Sequence, residues 1–186
     1  MSAQTPLIRL SDIFLRHSDK DLFKGVTLSV FAKDRICLVG RNGTGKSTLL
    51  RILGGETDFD KGERFVQPGT RVGMLPQEPD LSPFATVLDY AISKDAEEHR
   101  AKMFLDSLGL AHDKATTGLS GGEQRRAALA KALAEQPDVL LLDEPTNHLD
   151  VDTIEWLESE VRRYDGAILT ISHDRRFLET VTEQVA

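Results

Sequence analysis

Residues 35–53 read RICLVGRNGTGKSTLLRIL, and their order decides the fold. Residues 35–39 form an apolar run suited to a buried strand, Gly40 ends it, and residues 46–53 carry good helix formers up to the Gly54-Gly55 stop. Between strand and helix, Gly40, Gly45, Lys46 and Ser47 stand at the spacing G-x-x-x-x-G-K-S. In that context the glycines let backbone N–H groups converge on the β-phosphate of a nucleotide at a helix N-terminus. Lys46 would add a point charge on the β- and γ-phosphates, and Ser47 would ligate magnesium. The expected phosphate-contacting set is Gly40, Arg41, Asn42, Gly43, Thr44, Gly45, Lys46, Ser47 and Thr48, and the expected ligands are a nucleoside triphosphate and Mg2+.

Further along, residues 139–142 and 167–171 are short apolar runs bounded by charged or turn residues, as in parallel strands buried on both faces. Helical stretches at 121–135, 152–163 and 175–182 separate or follow them, and this alternation predicts an α/β fold. In the N-terminal third, residues 7–15, 26–31 and 64–75 look like antiparallel ribbon. Between Gln77 and Ser120 the pattern becomes amphipathic helix: Val87, Leu88, Ala91 and Ile92 share one face, followed by Met103, Phe104 and Leu108 before Gly109. One unit spanning 1–186 is expected, with a core at 1–77 and 138–186 and a small helical subdomain at about 78–137. The last residues, 181–186, lack a closing element, so the chain is expected to be cut short at its C-terminus.

Composition bounds the function. With 186 residues, 40% hydrophobic and 28% charged, the chain fits one globular core and has no apolar run near the roughly 18 residues of a membrane span. A net charge of −7 removes the usual drive for nonspecific binding to nucleic acid or anionic lipid. One cysteine, Cys37, excludes an internal disulfide and a Cys-based zinc site, and its apolar neighbours make it a buried small hydrophobe. The opening MSAQTPLIRL lacks the basic and long apolar regions of a signal peptide, so a cytoplasmic location is expected. Ile154, Trp156 and Leu157 read as packing against the sheet, and the pairs Arg125-Arg126, Arg162-Arg163 and Arg175-Arg176 as solvated helix faces.

The apolar run at 139–142 ends in Asp143 and Glu144, placing two carboxylates at the C-terminal edge of a strand, where open α/β sheets bind ligands. Asp143 would complete the magnesium shell, and Glu144 would orient the attacking water and accept its proton. The segment LSGGEQ, residues 119–124, opens a helix in which Ser120 and Glu123 have capping-box spacing. Gly121 and Gly122 leave the helix N–H groups open to a phosphate.

The order phosphate loop, Gln77, LSGGEQ, LLLDEP and His173 resembles the ATP-binding cassette (ABC) superfamily over essentially the whole chain. The resemblance implies a P-loop ABC-type ATPase fold with a mixed β core, an antiparallel β subdomain and a small helical subdomain. It also implies that Gln77 contacts magnesium and water, and that His173 contacts the γ-phosphate. Ser120, Gly121 and Gly122 would grip the γ-phosphate of ATP held by a second cassette. DEPTNHLD at 143–150 followed by SHDR at 172–175 and Phe177-Leu178 is similar to the ABC-F branch, especially its Uup-like members. That likeness implies the first cassette of a two-cassette protein acting on the ribosome or on branched DNA.

This chain has one set of motifs, and only 42 residues, 78 to 119, lie between Gln77 and Ser120, little room for the arm that many ABC-F first cassettes insert there. The family's adenine-stacking aromatic would fall at His17, with Phe14 the neighbouring candidate. Two other functions compete with this one. The ATP-binding subunit of a membrane importer would share the phosphate site, but Asn147 and His148 stand where transporter cassettes more often have small residues. A nucleotide-gated clamp without turnover is opposed by Glu144 and His173 occurring together.

Overall fold

A computed structural model describes residues 5–17, 20–92, 96–182 and 184–185; residues 1–4, on which part of the leader argument rests, and 183 and 186 lie outside them. Strands β1 (Ile8–His17), β2 (Lys20–Val30) and β4 (Lys61–Val66) form an antiparallel sheet in the order β2-β1-β4. The second sheet is parallel, in the order β5-β6-β7-β3-β8, from β3 (Arg35–Cys37), β5 (Val72–Leu75), β6 (Val139–Asp143), β7 (Ala167–Ile171) and β8 (Gln184–Val185). Antiparallel and parallel pairing are thus segregated into separate layers.

All residues of β6 and β7 are buried, and their side chains alternate between two cores. Val139, Leu141, Ala167 and Leu169 pack with helix α1 (Lys46–Gly54) and the antiparallel sheet. Leu140, Leu142 and Ile168 face the helices: α2 (Val87–Ala91), α3 (Glu98–Ser107), α4 (Gly121–Ala134), α5 (Val151–Arg163) and α6 (Arg175–Val181). Both faces are dry, which is why these strands read as continuous apolar runs instead of alternating ones. The arrangement brings the C-terminal ends of β3 and β6 to one edge of the sheet. There β3 feeds the phosphate loop and β6 ends in Asp143.

Several expectations are corrected. Of residues 64–75, only the part within β4 joins the antiparallel ribbon; Val72–Leu75 pairs in parallel with β6 from Val72↔Val139 to Leu75↔Leu142. Met103 is exposed, because the inward face of α3 is taken by Ala101, Phe104 and Leu105. Trp156 meets the edge of Phe104 at a centroid distance of 6.2 Å, within the core shared by the helices and the strand residues Leu140, Leu142 and Ile168. Gln184–Val185 extends the parallel sheet beside β3, where no closing element was expected. Arg125 is no solvated helix residue: it is 3% exposed.

Candidate functional site

Gly45 is the N-cap of α1 with φ of 93°, the left-handed region that glycine adopts at no steric cost. A Cβ there would meet Leu22 Cγ and Phe23 Cε1 at 2.9 Å, so the loop lies flat against β2 only with glycine. Helices α2, α4, α5 and α6 are capped by the side chains of Thr86, Ser120, Asp150 and Asp174. The N-terminus of α1 has neither a side-chain cap nor an acidic residue in its first turn. Its N–H groups and positive dipole end are therefore left for an anion. Lys46 Nζ bridges the loop, donating to the Gly40 carbonyl at 2.8 Å and to the Arg41 carbonyl at 3.1 Å. Thr44 braces the same turn by donating from its hydroxyl to the Arg41 carbonyl at 2.9 Å.

This loop is one wall of a cleft of about 650 Å³. Asn42, Gly43, Gly45, Lys46, Ser47, Thr48, His17, Gln77, Glu144 and His173 line it, together with Leu15, Leu22, Thr57, Asn147 and Ile171. Gly40, Arg41 and Thr44 belong to the loop without lining the cleft. Phe14 also lies away from it, its ring over Gly25, so of the two adenine candidates His17 is the one at the cleft, beside Leu15 and Leu22.

Glu144 follows directly on β6 and holds φ of 48°, a left-handed conformation costing about 1 kcal/mol for a residue with a Cβ. Its backbone is fixed from three sides. Its N–H donates to the Ile171 carbonyl at 2.8 Å, and its carbonyl accepts from Asn147 N–H at 3.2 Å and from Arg125 Nη2 at 2.7 Å. The carboxylate meets His173, whose Nε2 lies 3.3 Å from Oε1 and whose backbone N–H donates to Oε2 at 3.3 Å. Burial raises the Glu144 pKa above its ordinary value, a shift opposed by the adjacent His173. Proton affinity is thereby increased on a carboxylate that opens to the cleft.

Asp143 is fully buried, and both of its carboxylate oxygens are without a hydrogen-bond partner. An orphaned buried carboxylate is a strong sign of an unmet cation. Among the described residues no cluster of three His, Cys, Asp or Glu side chains forms an all-protein metal site. The donor set fits magnesium, which is usually held by one or two protein oxygens plus substrate phosphates.

Ser120, Gly121 and Gly122 do not line the cleft. Ser120 caps α4 in a closed capping box: its hydroxyl accepts from Glu123 N–H, and Glu123 Oε2 accepts from Ser120 N–H at 2.9 Å. Lys114 pairs with the other oxygen of Glu123, and this contact foremost, with the Ser120 N–H and hydroxyl, holds the Glu123 pKa down to about 2. Gly122 has a packing reason to be glycine, since a Cβ would stand 2.9 Å from the His148 carbonyl oxygen. Sequence reasoning used Asn147 only as a branch marker and missed it as a cleft residue, although its three-residue distance from Glu144 is a turn spacing. Leu15, Leu22 and Thr57 gave no signal at all.

Among the described residues no helix is long and apolar enough to cross a membrane. Residues 23–147 match the family described as ABC transporter. The chain is 53% identical to the ATP-binding protein Uup of Caulobacter vibrioides, an alignment covering 98% of this chain and 30% of that protein. It is 35% identical to the Uup protein of Escherichia coli, over 96% of this chain and 35% of that one. With the energy-dependent translational throttle protein EttA of Mycobacterium tuberculosis it shares 37% identity, over 91% of this chain and 38% of that protein. The chain thus spans about a third of the length of the curated relatives it matches.

Proposed function

The chain belongs to the ABC transporter family, and from that premise we propose that it binds ATP with magnesium and hydrolyses it as one cassette of an ABC-F, Uup-like protein acting in translation. The observation that supports hydrolysis best is the buried Glu144 carboxylate held against His173 in the cleft that also holds Lys46. The loop N–H groups and Lys46 bind the β- and γ-phosphates, and His17 lies against the base with Leu15 and Leu22. Ser47 and Asp143, with Gln77, would hold Mg2+, which when bound neutralises charge on the phosphate oxygens. Glu144 orients a water and takes its proton as the water oxygen bonds to the γ-phosphorus and the bond to the ADP oxygen breaks. His173 keeps the carboxylate in place and faces the γ-phosphate.

A second cassette completes the site. In this reading Ser120, Gly121, Gly122 and the N-terminus of α4 serve ATP on that partner, consistent with their place outside this chain's own cleft. The translation assignment is supported by the likeness to a protein named as a translational throttle. Asn147 and His148 weigh against an importer subunit. Phosphate release by the chain and by its Glu144→Gln variant tests the chemistry. Cosedimentation with ribosomes, against fork DNA as competitor, tests the assignment: retention on DNA alone would overturn it.

A further inference from the structure

Buried arginines are ordinarily matched by a carboxylate; Arg125 is 3% exposed and has no acidic side chain in an ion pair with it among the described residues. Its two terminal nitrogens donate instead to four backbone carbonyls at the C-terminal ends of two strands, while Nε has no hydrogen-bond partner. Nη1 donates to Pro76 at 2.5 Å and Gln77 at 3.3 Å, just beyond β5. Nη2 donates to Asp143 at 2.5 Å and Glu144 at 2.7 Å, at the end of β6. The β5–β6 ladder stops at Leu75↔Leu142, so the guanidinium takes over the linkage where the backbone pairing ends. Burial pushes the Arg125 pKa down to about 10, still well above neutral pH, so the group enters the site charged.

Because the acceptors are carbonyls, the Asp143 carboxylate is left free, and both of its oxygens remain unpartnered. Arg125 is five residues after the Ser120 cap on α4, about 7.5 Å along the axis. One rigid helix therefore presents Ser120 at its end and reaches the Gln77 and Glu144 peptides from its side. We propose that Arg125 is a positioning residue for hydrolysis: its planar fork fixes the Gln77 and Glu144 peptides relative to each other and to the α4 N-terminus, so that the three move as one unit. The left-handed Glu144 peptide, whose direction sets where the carboxylate points, is held by this fork on its carbonyl side. Lysine, a point donor on a flexible stem, cannot span both strand ends.

This inference rests on the reading of Glu144 as the base, and the test separates the two. In the full-length chain, ATP affinity, kcat at high protein concentration and melting temperature are measured for Arg125→Lys, Arg125→Met, Gln77→Ala and Glu144→Gln, and for the double variant of Arg125→Lys with Gln77→Ala. We expect Arg125→Lys to keep ATP affinity within about threefold and to lose at least about tenfold in kcat. The double variant should lie within about threefold of the worse single one, because Arg125 acts partly through Gln77. A folded Arg125→Lys or Arg125→Met with parental kcat would overturn the proposal, as would losses that multiply in the double variant. Failure of both substitutions to fold would also overturn it, making Arg125 a residue of folding alone. If Glu144→Gln hydrolyses ATP at the parental rate, it is the base assignment that fails; if that variant is inert while Arg125→Lys is unimpaired, the Arg125 role alone fails.

Discussion

His173 holds both oxygens of one carboxylate: its Nε2 is 3.3 Å from Glu144 Oε1, and its own backbone N–H donates to Oε2 at 3.3 Å. The two residues close the C-terminal edge of the sheet from neighbouring strands, Glu144 after β6 and His173 after β7. The contact fixes the direction of the Glu144 carboxylate while leaving the histidine ring largely exposed to the cleft.

Glu144→Gln should keep ATP affinity and lower turnover at least about a hundredfold, since an amide hydrogen-bonds water but takes no proton. Equilibrium titration with ATP alongside phosphate release checks this, and loss of ATP binding would make Glu144 structural.

The same variant has a stability signature. Burial raises the Glu144 pKa, so the folded state holds that proton more tightly than the unfolded chain does. The group's contribution is then fully present below the unfolded pKa and is lost as pH rises through the folded one. Glu144→Gln should accordingly be more favourable to the melting temperature at pH 8 than at pH 4. A scan showing an equal effect at both pH values would contradict it.

Lys46→Ala removes the side-chain charge that the proposed reading sets on the β- and γ-phosphates, together with two bonds across the loop, to Gly40 and Arg41. ATP affinity should fall at least about tenfold and hydrolysis should be lost. A calorimetric titration at unchanged melting temperature decides it; parental hydrolysis would place the nucleotide elsewhere.

Adjacent glycines on α4 should respond with opposite signs. At Gly122 a Cβ meets the His148 carbonyl oxygen at 2.9 Å, whereas at Gly121 it meets only His148 Cγ at 3.9 Å. Gly122→Ala should cost about 1–3 kcal/mol from overpacking, while Gly121→Ala should be neutral or stabilising through helix propensity. Chemical denaturation of both variants measures the difference, and equal effects would refute the close approach.

Specific ATPase activity should rise with protein concentration or on adding a second cassette. Ser120 lies outside the cleft of its own chain, so in the proposed reading a lone chain offers the γ-phosphate Lys46, Gln77 and His173 without the opposing helix N-terminus. A flat, fast rate over a hundredfold concentration range from a strictly monomeric species would refute this.

What the sequence disclosed depended on whether the deciding interaction was local. Lys46 and its glycines are legible because a strand, a loop and a helix N-terminus must be adjacent in the chain. Val139–Asp143 and Ala167–Ile171 are legible because burial on both faces forces unbroken apolar runs. Val72–Leu75 is hard to place because a four-residue stretch with three apolar side chains looks alike in either pairing mode, and its partner β6 lies more than sixty residues away. Arg125 is hidden for a related reason: an arginine on a helix looks solvated unless the carbonyls at 76, 77, 143 and 144 are known to converge on it. His148 gave no warning that its carbonyl would stand over Gly122.

Strand β3 launches the phosphate loop, yet its described neighbours, β7 and β8, both follow it by more than a hundred residues. As the chain is synthesised, Ile36 and Cys37 therefore emerge as an apolar segment with no strand to pair with. At roughly 5–20 residues per second, β7 arrives on the order of ten seconds later. Meanwhile β1, β2 and β4, all contained within Ile8–Val66, have every partner they need and can assemble first. Loop closure of that length is slow and is rewarded only when β7 docks, so the ability to grip a nucleotide appears late in folding, after the antiparallel layer is in place. The cleft is thus a report on completed assembly: a chain that binds ATP has already brought its distant strands together.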